Sequence, residues 1–336
     1  MILHIGAYSS KHILFPFIEF INGNFNQKEH YHILCSKENI DLDYPNAKTL
    51  DIFSQEQELL KHMNQADKIF LHGIWYDQLC NIVFENQSFL NKIFWIPWSA
   101  DYYFPKKSSN IKKWLLKNIK YLIAGPKEDY LFIKKHYENQ GHWISSSFYP
   151  NNLYYEPTIE KNKEDKKKIL IGNSADPTNN HLEIFEKIEK LKLQDIKLYI
   201  PLVYGDSEYA NNIEKKAYDL FGEKTNIIKE YMDFNQYLSF LSTIDIAIFN
   251  HKVQQATGNT IALLGFGSKV YINKDSNLNN YFNQFHIKLY DNENITLDLI
   301  DTNVKKTNQK NMKKYFSKDV LISTLEGVFN KGIDDG

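Results

Sequence analysis

Two polar clusters in the second half of the chain contain the residue types that hold a phosphate. The first follows the apolar run Ile169–Ile171 and reads Gly172-Asn173-Ser174-Ala175-Asp176, with Thr178, Asn179 and His181 close behind. A glycine there lets the backbone approach a pyrophosphate, while Asn173 and Ser174 supply donors. A turn capped by Asn explains part of this pattern, but so many polar groups at one strand end exceed what a turn requires. The second cluster follows Asp245-Ile246-Ala247-Ile248 and runs through Asn250, His251, Lys252, Gln254, Gln255, Gly258, Asn259 and Thr260. It leads into the short apolar helix Ile261–Leu264. Gly258-Asn259-Thr260 then reads as a helix N-terminus, whose free N–H groups and dipole attract a diphosphate.

The first half offers candidates for proton handling. Asp101 follows the strand-like run Phe94–Trp98, and His72 ends another in Phe70-Leu71-His72-Gly73. A carboxylate at Asp101 can accept a hydroxyl proton or orient a substrate hydroxyl, and the near-neutral titration of His72 makes it the rival base. Each has an ordinary structural role as well, Asp101 as a helix cap and His72 as a satisfied histidine at the sheet edge. His4, inside a strand, reads as structural. A third feature is Pro105–Lys120, where Lys106, Lys107, Lys112, Lys113, Lys117 and Lys120 occur with no acid among them. Ile111, Trp114, Leu115 and Ile119 share the opposite face. A basic amphipathic helix with a Trp fits an anionic membrane surface, and it also fits a solvated helix covering a sheet.

These candidates need a scaffold, and the pattern of apolar runs supplies one. Strands are expected at Ile2–Ala7, Tyr31–Ser36, Lys68–Gly73, Lys92–Trp98, Tyr121–Gly125 and His142–Phe148. Helices fall near 12–22, 56–64, 76–86, 109–119 and 126–138. The alternation restarts with strands at 168–173, 197–203, 225–230, 244–249, 268–273 and 287–290. Helices follow near 179–191, 207–221, 234–242 and 259–265. Such alternation predicts two doubly wound α/β domains with mostly parallel sheets, facing each other across a cleft. We place an N-terminal Rossmann-like domain at 1–155, a charged linker at 156–168 and a second Rossmann-like domain, carrying both phosphate-type clusters, at 169–315. A terminal helix within 316–336 is expected to cross back to the first domain.

Composition narrows the class. The chain has 336 residues, 43% of them hydrophobic, and a net charge of −1, which excludes global disorder and argues against a nucleic-acid partner. All 40 basic residues are Lys, so a guanidinium clamp on phosphate is impossible. Cys35 and Cys80 lack metal-ligand spacing, and neither a metal nor a cofactor is expected. Gly-x-Gly-x-x-Gly is missing, which disfavours a dinucleotide oxidoreductase. The N-terminus reads as a strand rather than a signal peptide, and no apolar run reaches the length that spans a bilayer.

The sequence resembles glycosyltransferase family 56. The resemblance lies in Gly172-Asn173-Ser174 with Asn179 and His181, in Ile200-Pro201-Leu202-Val203-Tyr204-Gly205, and in Gln254-Gln255 and Gly258 before Ile261–Leu264. His72-Gly73 and Trp98-Ser99-Ala100-Asp101 extend it into the first half. That family comprises TDP-N-acetylfucosamine:lipid II N-acetylfucosaminyltransferases of enterobacterial common antigen synthesis. The resemblance implies a GT-B fold and adds Tyr204 to the donor-site candidates above, among them Asp176 and Asn250. It also implies a TDP-sugar donor and an undecaprenyl-diphosphate-linked saccharide acceptor. A lipid-linked acceptor favours the membrane reading of Lys106, Lys107, Lys112, Lys113, Trp114 and Lys117, and a cytoplasmic enzyme peripheral on the inner face of the membrane. The alternatives are a GT-B enzyme using another nucleotide sugar and a soluble acceptor, or a non-catalytic nucleotide-sugar-binding paralogue.

Overall fold

Short apolar runs buried on both faces form the two sheets. The computed structural model describes residues 1–156, 166–191, 194–252 and 254–330. Residues 157–165 of the expected linker lie outside them. The chain divides into two units, one built from Met1–Asn151 together with the chain from Leu321 onward, the other from Asn152–Val320.

The first unit holds seven strands: β1 (Ile2–Ala7), β2 (His30–Cys35), β3 (Ala47–Leu50), β4 (Lys68–His72), β5 (Ile93–Ile96), β6 (Tyr121–Ala124) and β7 (His142–Ser145). Their order is β3-β2-β1-β4-β5-β6-β7, with all neighbours parallel. β4 (Lys-Ile-Phe-Leu-His) is buried at every position, as a central parallel strand covered on both faces must be. One face packs Leu3, Ile5, Ile33, Ile69, Leu71 and Trp95 against the covering helices. Phe70, stacked 5.1 Å from Phe94 and 5.9 Å from Phe148, contributes an aromatic layer. Such contacts add about 0.5–1.5 kcal/mol each beyond burial.

The helix Lys318–Asn330 buries Leu321, Leu325, Val328 and Phe329. The Phe329 ring meets His30 edge-on at 4.8 Å. The ammonium of Lys68 donates to the last-turn carbonyls of Val328 and Phe329, the end of the helix where a cation is favoured.

The second unit holds β8 (Lys167–Ile171), β9 (Ile196–Pro201), β10 (Thr225–Ile228), β11 (Ile246–Phe249), β12 (Lys269–Ile272) and β13 (Tyr290–Asp291). They are ordered β10-β9-β8-β11-β12-β13, again parallel. Strand order therefore reverses between β1 and β4 in the first sheet and between β8 and β11 in the second. Crevices at the carboxyl ends of such switch points are where open α/β sheets bind ligands. Both polar clusters of the sequence, after β8 and after β11, flank the second of these points.

Candidate functional site

In the second unit, Gly172 leaves β8 at a φ of +69°. A Cβ on it would fall 2.2 Å from Nε2 of His181. The left-handed φ and the imidazole beneath it are each sufficient to require glycine here. The His181 side chain is fully buried, and its Nδ1 lies 3.1 Å from the Tyr209 hydroxyl. Burial pushes its pKa down to about 4, so the ring is neutral, and its Nε2 has no partner among the described residues.

The loop after Gly172 knits itself together. The Asn173 N–H donates to Asn179 Oδ1 at 3.0 Å, and Asn179 Nδ2 donates to the Ser174 hydroxyl at 3.2 Å. Ser174 and Asn179 are buried, so their side chains brace the loop instead of facing solvent. Asp176 Oδ1 accepts from the N–H and hydroxyl of Thr178 at 2.8 and 2.6 Å, capping the short turn Pro177–Asn179. Asn180 then adopts a left-handed conformation, and the helix begins at His181 rather than at Asn179. Tyr204 is 64% exposed, and its hydroxyl lies 3.5 Å from Asn173 Nδ2. Its loop is pinned to Ala175 by N–H···O bonds in both directions, 2.7 Å to the Tyr204 carbonyl and 3.1 Å from Asp206.

The loop after β11 meets the first through Gln255. Its Nε2 donates to Thr178 Oγ1 at 2.7 Å, and its Oε1 accepts from Asn179 Nδ2 at 3.4 Å. Asn250 is buried, and its Oδ1 accepts from Asn273 and Asn292, each at 2.8 Å. Its Nδ2 donates to Glu183 at 2.9 Å. Its second Nδ2–H donates to the Asn180 carbonyl at 3.4 Å, so in this structure the whole amide braces the two loops. Gln254 is half-buried.

The helix that follows spans Thr257–Gly265 and enters from a left-handed Ala256 with no side-chain cap. The first intrahelical donor is Thr260, bonded to Ala256 O at 2.8 Å. The N–H groups of Thr257, Gly258 and Asn259 thus precede the helical ladder and lack partners among the described residues. The buried hydroxyl of Thr260 and the Oδ1 of Asn173 are also unpaired. Asn259 Nδ2 donates to the Tyr237 hydroxyl at 3.0 Å, a contact with no signal in the sequence.

In the first unit, neither proposed base presents a free basic atom. Asp101 is buried, with Oδ1 accepting from the Ile74 N–H at 2.9 Å. Its Oδ2 accepts from the Trp98 N–H at 3.0 Å and Trp95 Nε1 at 3.2 Å. Burial raises its pKa, while Lys112 and the donated N–H bonds pull it back. His72 is buried, with Nε2 3.1 Å from His4 Nδ1 and Nδ1 2.9 Å from the Tyr149 hydroxyl. Burial pushes its pKa down to about 3. Both side chains are thus held by the sheet end in this structure, so a proton-accepting role for either requires one of these contacts to open.

The lysine-rich segment divides. Lys112 turns inward, donating to the Ile74 carbonyl at 2.8 Å with its ammonium 3.9 Å from Asp101. Lys117 pairs with Glu138 at 2.6 Å, an acid that lies outside the segment in sequence. Trp114 packs on the core with its ring edge-on to Phe84 at 4.8 Å. Lys106 and Lys107 are exposed beside Phe104, and Lys113 is half-buried. Among the described residues no helix is long and apolar enough to cross a membrane.

Two parallel Rossmann-like sheets in tandem define the GT-B class of glycosyltransferases. HepE from Anabaena, solved with UDP and glucose, aligns over 98% of both chains with a TM-score of 0.70 at 10% identity. A UDP-forming α,α-trehalose-phosphate synthase from Burkholderia xenovorans aligns over 98% of both with a TM-score of 0.69 at 8% identity. A glycosyltransferase from Rickettsia africae aligns over 100% of this chain and 99% of that one, with a TM-score of 0.65 at 13% identity. At such identities the likeness concerns the fold. The profile described as 4-alpha-L-fucosyltransferase glycosyl transferase group 56 matches residues 9–321. The chain belongs to that family and is a glycosyltransferase.

Proposed function

We propose that this enzyme transfers an N-acetylfucosamine-type sugar, a 4-acetamido-4,6-dideoxyhexose, from a TDP-sugar to an undecaprenyl-diphosphate-linked saccharide. The setting would be bacterial surface polysaccharide synthesis of the enterobacterial common antigen kind, at the cytoplasmic face of the membrane. The observation that carries the reading is the bare first turn of Thr257–Gly265, joined through Gln255 to the loop after β8. Three free N–H groups and the positive end of a helix dipole suit a diphosphate, and Thr260's unpaired hydroxyl adds a donor. The chain has no Arg, so these groups and Lys252 in the same loop must carry that role. They also meet the charge that develops on the departing nucleotide diphosphate, where fixed dipoles lower a barrier most. Asn173, Asp176, Tyr204, Gln254, Gly258 and Asn259 complete the donor loops, with Gly172, Ser174, Asn179 and His181 as their internal braces.

A thermal-shift series with TDP, UDP and GDP tests the donor. Ligand at a hundred times its Kd stabilises the folded state by about 2.7 kcal/mol, so TDP should raise the melting temperature and GDP should not. Thr260→Val should weaken the nucleotide by about 1–2 kcal/mol, the scale of a lost hydrogen bond to a charged group. A larger response to UDP would shift the donor to a uridine sugar, consistent with the nucleotide held by HepE. No response to any of the three would sink the donor site.

Membrane attachment rests on Lys106 and Lys107 beside exposed Phe104, together with the half-buried Lys113. Co-sedimentation with anionic vesicles should be measurable at low salt and should fade as the Debye length shrinks below ~8 Å. Replacing Lys106, Lys107 and Lys113 with Glu should abolish it. A wild-type protein that ignores anionic vesicles at low salt would leave a soluble acceptor as the better reading.

A further inference from the structure

We propose that Trp75 and Trp98 form a stacking subsite for a pyranose ring of the saccharide acceptor. The proposal rests on the saccharide-acceptor reading given above. Both residues lie in the first unit, just past the carboxyl ends of β4 and β5, beside the switch point between β1 and β4. Their rings meet edge to face, with centroids 5.2 Å apart at 79°, so that the pair forms a right-angled corner. Trp75 is 38% exposed and Trp98 is partly buried.

What the corner offers is carbon. Nε1 of Trp75 donates to the His72 carbonyl at 3.1 Å, and Nε1 of Trp98 donates to the Tyr149 hydroxyl at 3.1 Å. An indole has no other polar group, so what the two rings leave exposed is aromatic carbon. Aromatic faces are electron-rich, and the C–H-bearing face of a pyranose is their natural complement. A ring already fixed loses little entropy when a ligand settles on it. Gly73 shows that this orientation is built in. It takes a φ of +78°, and a Cβ there would fall 2.6 Å from Trp75 Nε1.

A buried hydrogen-bond chain holds the corner from beneath. The Tyr149 oxygen accepts from Trp98, which leaves its proton for His72 Nδ1 at 2.9 Å. His72 Nε2–H then donates to His4 Nδ1 at 3.1 Å, and His4 Nε2–H to His30 Nδ1 at 3.0 Å. Burial lowers the pKa of all three imidazoles, and with neutral rings the proton directions follow from Trp98, whose indole can only donate. Tyr149 and His72 are thus positioning residues for Trp98 and Trp75.

Intrinsic tryptophan fluorescence tests the subsite, with phenyl β-D-N-acetylglucosaminide and phenyl β-D-glucoside as probes in the presence of TDP. The wild type should show a saturable shift. Trp75→Ala should weaken probe affinity about tenfold or more, and Trp75→Phe by less, since a smaller ring keeps part of the face. Tyr149→Phe should weaken it several-fold through a loosened Trp98, whereas the thermal shift produced by TDP stays at its wild-type value in all three variants. Wild-type probe affinity in Trp75→Ala overturns the proposal, as does a wild type that binds TDP yet gives no saturable signal with either glycoside. Failure of TDP to bind would instead count against the donor reading, independently of the corner.

Discussion

Acidification from pH 7 to about 5 should unfold the first unit. Four histidines lie inside it, and each has a pKa lowered by burial first of all. His72 falls to about 3 and His30 to about 4, while His4 and His32 are held well below the ordinary value. In the unfolded chain all four take up protons near pH 6.5. Between that value and the folded pKa the unfolded state binds more protons, so stability falls as pH falls and is fully present only above about 6.5. Each group costs about 1.4 kcal/mol per pH unit within the window, so four cost about 5–6 kcal/mol by pH 5.5. That is comparable to the whole stability of an ordinary domain. Urea melts at pH 7.5, 6.5 and 5.5 should show the midpoint collapsing. His32→Phe removes one of the four protons while keeping a ring at the 4.6 Å stacking distance from His4, and should flatten the slope by about a quarter. A midpoint unchanged down to pH 5.5 would mean these rings are protonated in the native state.

The same residues show what a sequence can and cannot disclose. Helices Ser207–Phe221 and Phe234–Ser242 lie where periodicity placed them, because Asp206 and Asp233 cap them through contacts only three residues long. β3 escaped notice because Ala-Lys-Thr-Leu is a half-covered edge strand with no apolar run. The helix Thr302–Tyr315 escaped because only Asn308 and Met312 of its fourteen residues are buried, too few to set a period. At the site, polar residues at strand ends did mark the switch point. Their partners were illegible, since Asn250 meets Asn292 and Gln255 meets Thr178 only through the fold. Trp75 and Tyr149 carried no signal at all, because an exposed indole and a buried phenol look like any other aromatic until the sheet brings them to His72. Three strand histidines, His4, His30 and His72, were a hint in the sequence that a polar chain crosses this core.

Asp101→Asn should lower stability by about 3–5 kcal/mol, and that outcome decides between a catalytic and a structural carboxylate. All of the carboxylate's neighbours are donors: the N–H groups of Ile74 and Trp98, the indole of Trp95, and the ammonium of Lys112. An amide has one oxygen where the carboxylate has two, so its NH2 must face an N–H and leave at least one buried donor unpaired. Lys112, only 15% exposed, also loses its counter-charge. The damage is local to the turns that follow β4 and β5, and these carry Trp75 and Trp98. Transfer should therefore fall together with the urea midpoint, and the acceptor's KM should rise before the donor's affinity changes. A general base behaves otherwise, since its amide variant folds normally and loses turnover alone. A wild-type midpoint with transfer reduced by ~10²-fold or more would return the proton-accepting role to Asp101.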